Sequence, residues 1–210
     1  MFDIINTLTE KDIKENFVAI GTYIDENKTP YHAVIVVKFD TVIEHIHYTG
    51  KEILFDDIYD ETCFHKITDT IPTALIPSFI VMCKNVMKNA NPSYGYFYSG
   101  EYYDQNGNHF SEKAIKERMT CSGFCLNLLK GYLEEDYLYY QEWEKSGYPS
   151  ENYLKNYAKR NGLEIDDISE SHRRISPLEM LCSAYFKNLP IRKFQIDSKK
   201  DETLEYLKNY

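Results

Sequence analysis

Cysteine is the residue type in this chain best suited to nucleophilic chemistry, and the segment Arg118-Met119-Thr120-Cys121-Ser122-Gly123-Phe124-Cys125 offers one in a favourable setting. Thr120 is suited to cap a helix, and Phe124, Cys125, Leu128, Leu129 and Tyr132 recur at the spacing of an apolar helical face. Cys121 then falls in the first turn, against unpaired N–H groups and the positive end of the helix dipole. Both favour thiolate over thiol, so the sequence predicts a depressed pKa for Cys121 and inert packing for Cys125 one turn on. Cys63, Cys83 and Cys182 have no such setting and read as apolar filler.

A cysteine nucleophile needs a base, and the base needs a group that fixes its tautomer. Among six histidines, His32 opens the run Ala33-Val34-Ile35-Val36-Val37, which places it at the end of a buried strand. The orienting group depends on register. If the turn after this strand spans Lys38 to Asp40, Glu44 shares a face with His32; if it takes only Phe39-Asp40, His45 or His47 becomes the neighbour. A carboxylate is the better partner for an imidazolium, which favours Glu44, with His47 as the alternative. His45 and His47 alternate along one strand and, with His32, are also conceivable metal ligands, but an isolated His-x-His pair is a weak signal and no metal or other cofactor is expected.

The elements that hold these residues follow from pattern. Phe17–Ile24 and Tyr31–Phe39 are strand-like and joined by a polar turn, Thr41–Tyr48 follows, and Lys51–Phe55 is a further strand, so the sheet begins as an antiparallel meander. Leu8–Asn16, Pro77–Asn89, Asp136–Lys145, Glu151–Arg160 and a segment from Ser176 to about Lys187 read as helices. The class is α+β: an antiparallel sheet packed against helices, with extra helices toward the C-terminus. Residues 1–133 are expected to form the core, and 134–210 a helical elaboration of the same domain that returns to the sheet near 190–196.

The motifs Pro30-Tyr31-His32-Ala33-Val34-Ile35-Val36, Val42-Ile43-Glu44-His45-Ile46-His47-Tyr48-Thr49-Gly50 and Thr120-Cys121-Ser122-Gly123-Phe124 together resemble the circularly permuted branch of the NlpC-type papain-like superfamily. That branch includes YiiX-like proteins and the lecithin:retinol acyltransferase group, and in it the histidine precedes the cysteine. Gly100-Glu101-Tyr102-Tyr103-Asp104 also resembles a Tyr-Asp segment of YiiX-like members. The resemblance implies a permuted papain-like fold and a cysteine peptidase or amidase with Cys121, His32 and Glu44 as catalytic residues. Val42-Ile43-Glu44 is similar to the YiiX-type segment, whereas Ile46-His47-Tyr48-Thr49-Gly50 is similar to the acyltransferase group. Ser122-Gly123 departs from the Glu-His of those acyltransferases, and the chain after Gly131 has no counterpart. The substrate implied is a peptide, isopeptide or acyl compound. Lipid thioester or acyl transfer, and partner binding through the tyrosines between Tyr132 and Tyr157, are the competing readings.

Composition narrows the classes. The chain has 210 residues, 43% hydrophobic and 15% aromatic, enough for a substantial core. A net charge of −9 with scattered basic residues disfavours nucleic-acid binding. Five cysteines without paired spacing argue against a disulfide framework and fit a reducing compartment. No apolar run reaches the roughly 20 residues of a membrane span, and Met1-Phe2-Asp3-Ile4 does not look like a secretory signal, so a cytoplasmic location is expected unless a preceding segment was removed.

Overall fold

The computed structural model describes residues 4–6, 13–56, 61–96, 98, 100–111, 117–144, 150–166, 168 and 172–210. Most of the helix expected over Leu8–Asn16 lies outside them. The main sheet contains β1 (Ile4–Asn6), β2 (Phe17–Ile24), β3 (Pro30–Phe39), β4 (Val42–Tyr48), β5 (Ile53–Asp56) and β6 (Cys63–Ile67). Its order is β1-β6-β2-β3-β4-β5, with every neighbouring pair antiparallel. The meander expected from the sequence is therefore present as β2 to β5. The chain then crosses back so that β6 pairs with β2 and carries β1 at the edge.

Two central strands are buried on both faces. Val18, Ile20, Ala33, Ile35, Val37, Ile46 and Tyr48 face one core, and Phe17, Ala19, Tyr23, Val34, Val36 and Ile43 face a second. Alternation in β2 and β3 is thus between two apolar environments, which explains their continuous hydrophobic runs. Against the first face pack α1 (Ile76–Asn89) and, after the short strands β7 (Ser93–Tyr94), β8 (Tyr102–Tyr103), β9 (His109–Phe110) and β10 (Arg118–Met119), the helix α2 (Cys121–Tyr132). Ser122 to Leu129 are all buried, so α2 is a central helix enclosed on every side.

The remaining elements are α3 (Glu151–Asn161), α4 (Pro177–Ser183) and α5 (Lys193–Asn209). Ser176 caps α4 in a reciprocal capping box with Glu179. Tyr137, Leu138, Trp143, Ile175, Met180, Cys182, Ile191 and Ile196 join the same core as α1, α2 and the sheet. The C-terminal section therefore completes the core of the N-terminal one. The expected return to the sheet near 190–196 is instead an isolated parallel bridge between Ile191 and Leu138, with α5 beginning at Lys193. The expected helix over Asp136–Lys145 is reduced to one 3-10 turn, Tyr140–Glu142. No helix among the described residues is long and apolar enough to cross a membrane.

The seat of α2 is narrow at its C-terminal end. A Cβ placed on Gly131 would lie 1.6 Å from the main-chain oxygen of Tyr103 on β8. That contact is with backbone, which cannot swing aside. Gly131→Ala is expected to lower stability by about 1–3 kcal/mol, as overpacking does elsewhere, through separation of α2 from β8. A urea midpoint equal to that of the parent chain would contradict this close approach.

Candidate active site

The site begins at the β3–β4 hairpin. Phe39 pairs with Val42, leaving Asp40 and Thr41 as the turn, with Asp40 in the left-handed region at φ 54°. Lys38 Nζ donates to the main-chain oxygens of Lys14, Glu15 and Asp40, and Asn16 Oδ1 accepts from the Asp40 N–H, so the turn is anchored to the chain before β2. The resulting ladder sets Ile35 opposite Ile46, Val36 opposite His45 and Val37 opposite Glu44. Because residues opposite each other share a face, Glu44 projects to the helix side with Val37, while His45 and His47 share the face of His32.

This corrects the expectation for Glu44. Its carboxylate lies 3.8 Å from Lys84 Nζ of α1, on the other side of the sheet from His32. His47 takes the position beside His32 instead: His32 Nε2 and His47 Nδ1 are 2.7 Å apart, and the rings meet edge to face at 4.9 Å. A two-residue turn in place of a three-residue one accounts for the whole difference. Tyr23, directly opposite His32 on β2, packs its ring 5.8 Å from His32 and 5.9 Å from His47. Tyr23 was not singled out from sequence, although its cross-strand position becomes apparent once the β2–β3 register is known.

Cys121 arrives from another part of the chain. β10 pairs in parallel with β7, placing Met119 beside Tyr94, and the chain passes straight into α2. Thr120 is extended, and its side chain accepts from the Gly123 N–H at 3.2 Å, the cap expected from sequence. Described β3–β4 pairs end at Ile35↔Ile46, and past that point the Ala33 N–H is donated to Cys121 Sγ at 3.5 Å. The start of α2 thus sits where β3 parts from β4, with the sulfur held against the residue that follows His32. Cys121 is half-buried; Cys63, Cys83, Cys125 and Cys182 are buried.

Electrostatics differ from the expectation of a preformed thiolate. Burial pushes the Cys121 thiol up, opposed by the N–H groups of Ala33, Ser122 and Cys121 itself, and burial prevails. Burial raises Cys125 well above the ordinary thiol range, in keeping with inert packing. His32 is lowered by burial, and His47 is lowered to about 4 by burial and by the neighbouring His32 and His45. At neutral pH the site is therefore an uncharged thiol and two uncharged imidazoles. A single proton joins His32 Nε2 to His47 Nδ1, and His47 Nε2 is buried without a hydrogen-bond partner among the described residues. When His47 accepts that proton, His32 Nδ1 is the nitrogen left to receive another.

The other nominated groups have structural roles. Asp104 Oδ1 accepts from the N–H groups of Asn106 and Asn108, closing a turn. His45 lies 3.5 Å from the Tyr23 hydroxyl, and among the described residues no three His, Cys, Asp or Glu side chains converge where they could hold a metal ion.

Buried neutral histidines link this site to acid stability. His47 at about 4 and His65, lowered to about 3 by burial and by His45, both lie below the ordinary value of 6.5. An unfolded chain therefore binds more protons just below that value, and stability falls as pH drops through about 6.5. By about pH 5, above most carboxylate titration, each histidine should remove on the order of 2 kcal/mol. Urea midpoints that stay level from about pH 7 to about pH 5 would exclude burial of both rings in neutral form. No protein-family model, curated protein or solved structure matches this chain, so its chemistry is read from the geometry.

Proposed function

We propose that this protein is a cysteine-dependent acyl hydrolase that cleaves an amide bond through an acyl-enzyme, with Cys121 as nucleophile, His32 as general base and His47 as the positioning residue. One observation carries the reading. His32 is hydrogen-bonded to His47, and the N–H of the next residue, Ala33, is donated to Cys121 Sγ, so one short stretch of β3 links all three residues. The chain order and the three motifs support a permuted NlpC-type papain-like architecture for the α+β fold.

In this mechanism His32 Nδ1 takes the thiol proton as Cys121 Sγ attacks the carbonyl carbon. Its Nε2–H is meanwhile donated to His47 Nδ1, which holds the ring. Main-chain N–H groups at the start of α2 stabilise the oxyanion. Collapse of the tetrahedral intermediate expels the amine, which receives the proton from His32, and water then releases the acid by the same route. A raised thiol pKa and lowered imidazole pKa values mean that proton transfer accompanies attack. A preformed ion pair is not the resting state.

Transfer of the acyl group to an acceptor other than water is the second reading. It is favoured by the identity of the third residue, since His47 lies in the segment similar to the acyltransferase group.

Alkylation by iodoacetamide tests the assignment without a known substrate. In the folded chain Cys121 should be the one cysteine modified, and His32→Ala should slow it by at least about tenfold, within the usual range for a general base. His47→Ala should slow it strongly, with recovery in His47→Asn, whose amide oxygen can accept from His32. Glu44→Gln should have little effect. Equal labelling of several cysteines, or an effect of Glu44→Gln as large as that of His47→Ala, would defeat the reading.

A further inference from the structure

Tyr23 borders the candidate site without a part in the proposed chemistry. It stands directly opposite His32 in the β2–β3 ladder and opposite Cys63 in the β2–β6 ladder, so these three side chains share the face of the sheet that carries the histidine pair. The residue is buried and belongs to the apolar cluster that includes Val34, Val36 and Ile43. Its ring centroid lies 5.8 Å from that of His32 and 5.9 Å from that of His47, with the planes inclined at 50° and 37°. One aromatic ring therefore borders both members of the hydrogen-bonded imidazole pair.

The pair needs such a neighbour at one moment of the reaction. At rest both imidazoles are neutral, because burial lowers their affinity for protons. When His32 takes the thiol proton, a full positive charge forms on the pair in a site that is largely enclosed. The negative face of an aromatic ring attracts a cation within about 6 Å of its centroid, and does so more strongly where the cation is desolvated. Both imidazoles lie inside that range, so the charge stays near the ring whether it rests on His32 or reaches His47 through the shared proton. The Tyr23 hydroxyl is 3.5 Å from His45 Nδ1, at the long limit of a hydrogen bond, which leaves the ring as the stronger link to the site.

We propose that the Tyr23 ring stabilises the positive charge that forms on the His32–His47 pair as Cys121 is deprotonated, which makes Tyr23 a positioning residue that acts on the reaction through the base. This inference rests on Cys121 as the nucleophile and His32 as its base. In this arrangement His47 supplies the acceptor that orients His32, and Tyr23 supplies the negative potential that a neutral imidazole lacks.

Replacement of Tyr23 by phenylalanine and its fluorinated analogues separates the charge of the ring face from its shape, because fluorine withdraws that charge with little change in size. The measurement is the rate at which iodoacetamide alkylates Cys121 at neutral pH, where the sulfur–carbon bond forms as iodide leaves and the thiol proton passes to His32. Tyr23→Phe should react within about twofold of the parent chain, and the rate should then fall stepwise through monofluorinated and trifluorinated phenylalanine, by about threefold to tenfold over the series. Tyr23→Leu, which removes the ring, should be at least as slow as the trifluorinated variant. In a His32→Ala background the same series should be flat, since the proton no longer passes to the pair. A series that is flat in both backgrounds, or that falls equally in both, overturns the inference and leaves Tyr23 a packing residue. A loss in Tyr23→Phe as large as that in Tyr23→Leu overturns it too, by assigning the effect to the hydroxyl. In each of these cases selective, His32-dependent labelling of Cys121 leaves the nucleophile and its base in place. If iodoacetamide does not select Cys121, or if His32→Ala reacts as fast as the parent chain, the inference and the reading beneath it fall together.

Discussion

The register of the β3–β4 hairpin is the constraint on which the candidate site depends. Side chains alternate faces along a strand, so one residue more or less in the turn exchanges every partner that β4 offers to β3. With Asp40 and Thr41 as the turn, His47 meets His32 and Glu44 meets α1. The turn itself is secured from outside the hairpin, by Lys38 reaching the carbonyls of Lys14 and Glu15 and by Asn16 accepting from Asp40. Groups at the far end of the ladder from the histidines thus decide which side chain of β4 lies beside His32.

Burial sets the protonation states of the candidate site. The N-terminus of α2 and the Ala33 N–H favour a thiolate at Cys121, and the cost of moving a charge into a largely enclosed site opposes it. Desolvation is the larger effect for the cysteine and for both histidines. A site built this way stores no separated charge at rest. The group beside His32 is a neutral imidazole, hydrogen-bonded to it.

The two halves of the chain are parts of one structure. Tyr137, Trp143, Met180 and Ile196 bury themselves against the face of the sheet that also receives α1 and α2. The same section brings Arg173 and Arg174 beside the start of α2, and Arg118, three residues before Cys121, donates to Tyr157 and Asn161 of α3. What reads in sequence as a loosely patterned, tyrosine-rich addition therefore packs beside the start of α2 and braces the strand leading into Cys121.

Local pattern determined much of this protein. The strands β2, β3 and β4, the helix α1, the capping of α2 by Thr120 and the capping box at Ser176 were all legible, because each depends on residues within a few positions of one another. Tertiary structure alone decided the rest. His47 rather than Glu44 faces His32 because a turn one residue shorter moved the ladder. Tyr23 entered the site through the register of the β2–β3 hairpin, and the Ala33 N–H through the approach of α2, whose Cys121 is 88 residues further along the chain. The Cys121 thiol is raised rather than lowered because its enclosure comes from surrounding elements, whereas the helix start that favours thiolate is visible in the sequence. Periodicity reports which face a residue shares with its neighbours in the chain; only packing reports what that face meets and how much water is left around it.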